Sequence, residues 1–345
     1  VHAGAEGAAE REIEALFGPH QGGQRSFKLR LPALLKQVGA TTAAAPGAPA
    51  PFVLAGRVWL DRSVASAVPT GYTQRLAQRY GADATRVNFA DSEAVRGQIN
   101  GWTAERTAGR INDLMPPGSV SSATLVTLTA AVHFRSPWEQ PFDAARTEAR
   151  SFQLAGGENK PVPTLVGERP VLQALVGGTQ IYALPFAGAA HTLLLAVPAA
   201  GSSPQALLQS LKGGDLAGWQ AALQPRRCEF TLPKFTLTPR PAALRPLLEA
   251  LGVKTIFTAA ADLRPMLGRQ ARNTHVGEVF HAAGIRIDEQ GGEAVAAAAA
   301  TVQSKSLALP APACAVDRPF VFAVVHRASG APLFMGRVGD PSQAD

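Results

Sequence analysis

Cysteine is almost absent from this chain of 345 residues; Cys228 and Cys314 are the only two. That excludes a disulfide-dense scaffold, and neither residue has the paired spacing of a zinc site, so the pair allows at most one bridge. Long apolar runs are also missing. The longest stretches, such as His191 to Ala200, fall far short of the roughly twenty residues that a membrane-spanning helix needs, and no membrane partner is expected. No Asn-x-Ser/Thr glycosylation acceptor occurs; no secretory signal is visible either, which says little because the sequence begins abruptly at Val1 and its true start can be missing.

The reactive groupings of common enzymes are missing too. There is no G-x-S-x-G elbow, no H-E-x-x-H, no phosphate-binding G-x-x-x-x-G-K-S/T loop and no G-x-G-x-x-G between a strand and a helix. The seven histidines (His2, His20, His133, His191, His275, His281 and His326) include no pair four residues apart on a helix. The chain is therefore read as a non-enzyme with no cofactor and no metal, although folding can bring distant histidines together.

What is present is enough apolar sequence, 46%, with only 17% charge, to bury a large core. The net charge of +7 and pI near 9.8 suit an anionic partner such as nucleic acid, a heparin-like polymer or a membrane surface. The charges are scattered, however. The densest cluster, Arg25, Lys28, Arg30 and Lys36, is interrupted by apolar residues at helical spacing, so an amphipathic surface helix accounts for it; weak polyanion binding is the alternative.

The first third reads as helical. Ala8 to Phe17, Ser26 to Val38 and Gly71 to Tyr80 place apolar residues at helical spacing, the last stopped by Gly81. Pro51 to Leu60 is a strand candidate. Ser92 to Ile111 predicts a long amphipathic helix with Ser92 as its N-cap, closed before Pro116-Pro117-Gly118. Strands then dominate: Ala123 to Phe134, suited to a central position, then Gln180 to Leu184, Thr192 to Val197, Cys228 to Leu232, Val276 to Ile287 and Phe320 to Val325. Leu207 to Leu211 and Pro241 to Leu251 interrupt them as helices. Early helices and late strands give an α+β protein, and no linker or repeat divides it, so residues 1–345 read as one domain.

The unusual segment is Gly291 to Pro312. It runs from Gly291-Gly292-Glu293 through Ala294-Val295-Ala296-Ala297-Ala298-Ala299-Ala300 to Thr301-Val302-Gln303-Ser304-Lys305-Ser306-Leu307. No proline precedes position 310, so nothing before Lys305 forbids a β-ladder. The small side chains can slide between strands, and alanine is committed to neither helix nor strand. Composition alone reads it as an Ala-rich exposed helix or a flexible linker; its flanks point elsewhere.

Val276-Gly277-Glu278-Val279-Phe280-His281-Ala282-Ala283 through Ile287-Asp288-Glu289-Gln290-Gly291-Gly292-Glu293-Ala294 resembles the serpin strand that leads into the hinge of the reactive-centre loop. Asp317-Arg318-Pro319-Phe320-Val321-Phe322 with Leu333-Phe334-Met335-Gly336-Arg337-Val338 resembles that family's C-terminal signature. Phe134, Trp138, Pro141, Phe142, Thr147 and Phe152 fall at serpin spacing, as do Leu232-Pro233-Lys234-Phe235, Leu251-Gly252-Val253, Phe257 and Ala261-Asp262-Leu263. The likeness runs from about Ala3 to Pro341.

The resemblance implies the serpin fold: three β-sheets surrounded by helices, with an exposed loop at about residues 290–312. It implies a metastable suicide inhibitor, a monomer, extracellular or secreted, whose partner is a trypsin-like serine protease held as a covalent complex. Once cut, the loop inserts as a central strand of the main sheet and distorts the attached enzyme. Family spacing puts the bait sixteen residues beyond the hinge acid Glu289, at Lys305, with Ser306 after the scissile bond. A solvated Lys305, with cleavage at Val302 or Leu307, is the alternative, and a non-inhibitory carrier, chaperone or storage protein is the alternative for the whole chain.

The hinge implied is Glu289, Gly291, Gly292, Glu293, Ala294, Val295, Ala296 and Ala297. Gly292 departs from the usual Thr or Ser, and with Val295 this implies slightly impaired insertion. Lys234 matches the partner of Glu289 at the loop's entry, Trp138 the entry-point tryptophan, and His281 the histidine that bonds across the sheet centre. Ala130 stands where the family has an asparagine near His281, which removes a polar clasp. Ala3 to Gly7 resembles the end of the family's second helix, so the first helix, one strand and most of the second helix are missing from this sequence. In the alignment Cys228 and Cys314 fall on neighbouring strands, and a disulfide between them is expected to oppose spontaneous insertion of an uncut loop.

Overall fold

The computed structural model describes residues 2–17, 27–41, 52–212, 214–238, 240–268, 274–292 and 311–343. Along the chain the first elements are α1 (Gly7–Ala15), α2 (Phe27–Thr41), β1 (Phe52–Asp61), α3 (Arg62–Ala65), α4 (Thr70–Arg75), β2 (Asp83–Val87), α5 (Ser92–Arg106) and β3 (Val126–Phe134). Strands then follow closely: β4 (Ser136–Pro137), β5 (Glu148–Gln153), β6 (Asn159–Val176), β7 (Thr179–Pro185) and β8 (His191–Val197). After α6 (Pro204–Ser210) and α7 (Asp215–Ala222) come β9 (Gln224–Pro233), β10 (Phe235–Leu237), β11 (Ala242–Ala243), α8 (Arg245–Ala250) and α9 (Arg264–Leu267). The chain closes with β12 (Val279–Asp288), β13 (Gly291–Gly292), β14 (Ala313–Ala315), β15 (Phe320–His326) and β16 (Pro332–Val338).

The chain divides into two compact units, residues 1–133 with 239–284, and residues 134–238 with 285–345. In the first, the strands order as β2-β1-β3-β12, with β1 parallel to β2, β3 parallel to the Val279–Gly284 part of β12, and β11 antiparallel on the same part. Val58 and Leu60 of β1 join one core with Tyr72, Leu263 and Met266. Trp59, between them in sequence, joins another with Phe89, Ile99 and Leu114. Adjacent residues thus bury opposite faces, which is why β1 and β3 read as nearly continuous apolar runs. Asn100 of α5 ties the following loop down: its Oδ1 accepts from the Met115 N–H at 2.8 Å, and its Nδ2 donates to the Met115 carbonyl at 3.1 Å.

In the second unit the main sheet orders as β14-β9-β6-β7-β8-β15-β16, with β5 on β6. Every pairing is antiparallel except β14 on β9. A smaller set is built on the Ile285–Asp288 end of β12, with β10 on one side and β13 on the other, and β13 pairs in turn with β4.

Several boundaries differ from the sequence reading. The helix expected over Ser92 to Ile111 stops at Arg106, because Ala108 and Gly109 turn left-handed at φ 52° and 76°. Asp91 occupies its N-cap position, and Ser92 is the first helical residue. Gly71 to Tyr80 is α4 followed by a π-helical turn over Leu76–Tyr80, ended by Gly81 at φ 60°. The strand expected from Val276 begins at Val279, where the Glu278 carboxylate accepts from the N–H groups of Arg245 and Val279.

Candidate functional site

The hairpin that joins β12 to β13 turns through Glu289 and Gln290, and its main chain is held from outside the turn. Trp138, 2% exposed, donates its backbone N–H to the Gln290 carbonyl at 2.8 Å and its indole Nε1–H to the Asp288 carbonyl at 2.9 Å. The indole stacks on Phe186, with centroids 4.6 Å apart. The Phe142 N–H donates to the Glu289 carbonyl at 2.8 Å, so three successive carbonyls of the turn are satisfied. Phe142 is fixed in turn by Arg169, whose guanidinium lies 3.6 Å from its ring centroid and donates to the carbonyls of Gln140 and Pro141. Burial pushes the Arg169 pKa down to about 10.

The Glu289 side chain meets Lys234, which lies between β9 and β10. The ammonium donates to both carboxylate oxygens, at 2.8 and 2.9 Å, and the Thr147 hydroxyl donates to one of them at 2.8 Å. Partial burial raises the carboxyl pKa, but the hydrogen bonds from Lys234 and Thr147 outweigh it and hold Glu289 below the usual carboxylate value. The carboxylate is only 14% exposed and the lysine 32%. The pair therefore sets the geometry of the turn more than it adds stability.

Gly291 and Gly292 are both buried. They pair with Asp288 and Ile287 on one side and with Pro137 and Ser136 on the other. Glu293, Ala294, Val295, Ala296, Ala297, Lys305 and Ser306 lie outside the described residues.

His281 stands in the first unit, and its Nδ1 lies 3.2 Å from the Ala130 carbonyl oxygen. Burial lowers its pKa against the opposing pull of that bond. The partner at position 130 is a main-chain atom, so the contact is indifferent to the loss of an asparagine side chain there.

The structure joins Cys228 of β9 to Cys314 of β14 in a disulfide, with Cα atoms 5.9 Å apart and both residues buried, inside the range such bonds require. It also draws together groups that sequence spacing does not connect. Thr147 at Glu289 and Arg169 under Phe142 are two. His191 opposite His326, with centroids 5.9 Å apart, and His2 beside Glu10 and Glu14 are two more. Each depends on strand register or tertiary approach; family spacing marks Thr147 as a residue but not its bond to Glu289.

The chain matches the family model described as Serpin (serine protease inhibitor) over residues 1–341. It is 31% identical to the putative serpin-Z12 of Oryza sativa subsp. japonica, over 98% of this chain and 81% of that protein. It is 28% identical to the glia-derived nexin of Homo sapiens, over 80% of this chain and 70% of that one. A solved structure of thyroxine-binding globulin in complex with thyroxine matches with a TM-score of 0.83 and 18% identity, over 99% of this chain and 88% of that chain, a likeness of fold alone. The mixed sheets and helices define an α+β scaffold of the serine protease inhibitor class. The chain belongs to the serpin family.

Proposed function

We propose that this chain, acting as one domain over residues 1–345, inhibits a trypsin-like serine protease as a suicide substrate, with Lys305 as the bait. The protease serine attacks the Lys305 carbonyl carbon, and the Lys305–Ser306 peptide bond breaks. The Ser306 amine leaves with a proton from the protease histidine, and Lys305 remains as an ester on the enzyme. Entry of residues 293 onward into the sheet that holds β3 and β12 then competes with water for that ester. The hinge runs on from Glu289, Gly291 and Gly292 through Glu293, Ala294, Val295, Ala296 and Ala297, with Lys234, Trp138 and His281 controlling entry. The Cys228–Cys314 bond suits an oxidising, extracellular setting.

The observation that carries this reading is the seat of β13: Gly291 and Gly292 already lie between β4 and the Ile285–Asp288 end of β12, so the next residues extend a strand already begun, by parting β3 from β12 over Val279–Gly284. Incubation with trypsin followed by a reducing, denaturing gel tests it. A stable complex is expected, lost on Lys305→Ala, with the fragment beginning at Ser306. Complete cleavage without any complex would refute inhibition and leave the non-inhibitory reading.

A further inference from the structure

We infer that Gly292 is a positioning residue matched to Phe134, and that its missing side chain lets the leading end of the bait segment stand as a strand before any bond is cut. Its consequence for inhibition rests on the proposed function; the seat itself does not.

A Cβ built on Gly292 would lie 2.9 Å from both Cδ1 and Cε1 of Phe134, closer than carbon atoms approach without something moving. The ring cannot readily give way. Phe134 is fully buried, with Phe186 at 4.7 Å and His191 at 5.6 Å, centroid to centroid, and interiors at this density transmit a misfit. On the other side of the balance β13 is two residues long, so the weaker member is the strand. Gly291 is bound by backbone: at φ 137° it holds a conformation other residues avoid, and a Cβ there would overlap the Ser136 carbonyl oxygen and lie 2.7 Å from Pro137 Cα and Trp138 N.

The threonine or serine that family likeness leads one to expect at position 292 therefore has no room while β13 is in place. Glycine here does not weaken insertion. It supplies the strand's first two residues in advance, so the step that competes with hydrolysis is elongation and not nucleation.

The test needs no protease. Hydrogen exchange is followed at Trp138, whose N–H reports the bond to Gln290, and over Asp288 to Gly292. The proteins are the parent, Gly292→Ala, Gly292→Thr, Phe134→Leu and the Gly292→Thr/Phe134→Leu double variant, with circular dichroism as the check on folding. Gly292→Thr is expected to lose about tenfold or more in protection at these sites, Gly292→Ala less, and the double variant to recover. Parent-like protection in a folded Gly292→Thr, or no recovery in a folded double variant, overturns the pairing. With trypsin, the inhibitor consumed per complex is expected to rise several-fold in Gly292→Thr. If the parent forms no complex, the inhibitory reading falls while exchange still decides the seat.

Discussion

Glu289 accepts from Lys234 and Thr147, and that arrangement sets a pH dependence. Its pKa is lowered from an ordinary value of 4.5, so the folded state favours the charged form. The stabilisation is complete above the unfolded pKa and disappears as pH falls through the lower folded one. Glu289→Gln is expected to cost about 1–2 kcal/mol near neutrality, kept small because water reaches Lys234. Melting curves of parent and variant should therefore converge as pH falls below the lowered folded-state pKa; a gap that does not narrow as the solution is acidified rules the pair out as its source. The Lys234 partnership was legible in the sequence because family spacing marks both ends. The part played by Arg169 was not, since a lone arginine between Glu168 and Pro170 carries no sign that it will cover Phe142.

Among the elements, β14 is three residues long and lies at the end of its sheet, paired only with β9. So few ladder bonds hold weakly, and the Cys228–Cys314 bond closes a loop of sequence separation 86, for which about 2–4 kcal/mol is typical. Cys228→Ser with Cys314→Ser should release β14 and let an uncut loop enter the sheet. Warm incubation should then abolish complex formation with no change in polypeptide mass, and full retention of activity after the same incubation would show that the bond restrains nothing. Strands such as β7, β8 and β15 were readable from their apolar runs. The 18-residue β6 was not, because Pro161, Pro163 and Pro170 argue against a strand. It survives since residues 159–164 pair with β5 while the Pro163 carbonyl turns the other way, to the Lys234 N–H. Pro161 and Pro163 share a parity, so neither is asked to donate to β5.

At the scale of the whole molecule the chain passes between its two units three times, at residues 133–134, 238–239 and 284–285. The α+β class was visible as early helices and late strands; the units were not, because each is assembled from distant stretches and nothing in the linear order marks them. A bait that gains by entering the sheet implies that the intact fold stores free energy. Cutting the bait segment with a metalloprotease, which forms no acyl-enzyme to be trapped, should then raise the melting temperature by about 10 °C or more, and equal melting of nicked and intact protein would mean there is no such store. The crosslink between β9 and β14 has one more effect. The piece from Ser306 onward contains Cys314, and Cys228 lies before the cut, so a severed molecule stays in one covalent piece until a thiol reagent opens the bridge. Under non-reducing conditions the nicked chain would weigh one water more than the intact one and run with it as a single band.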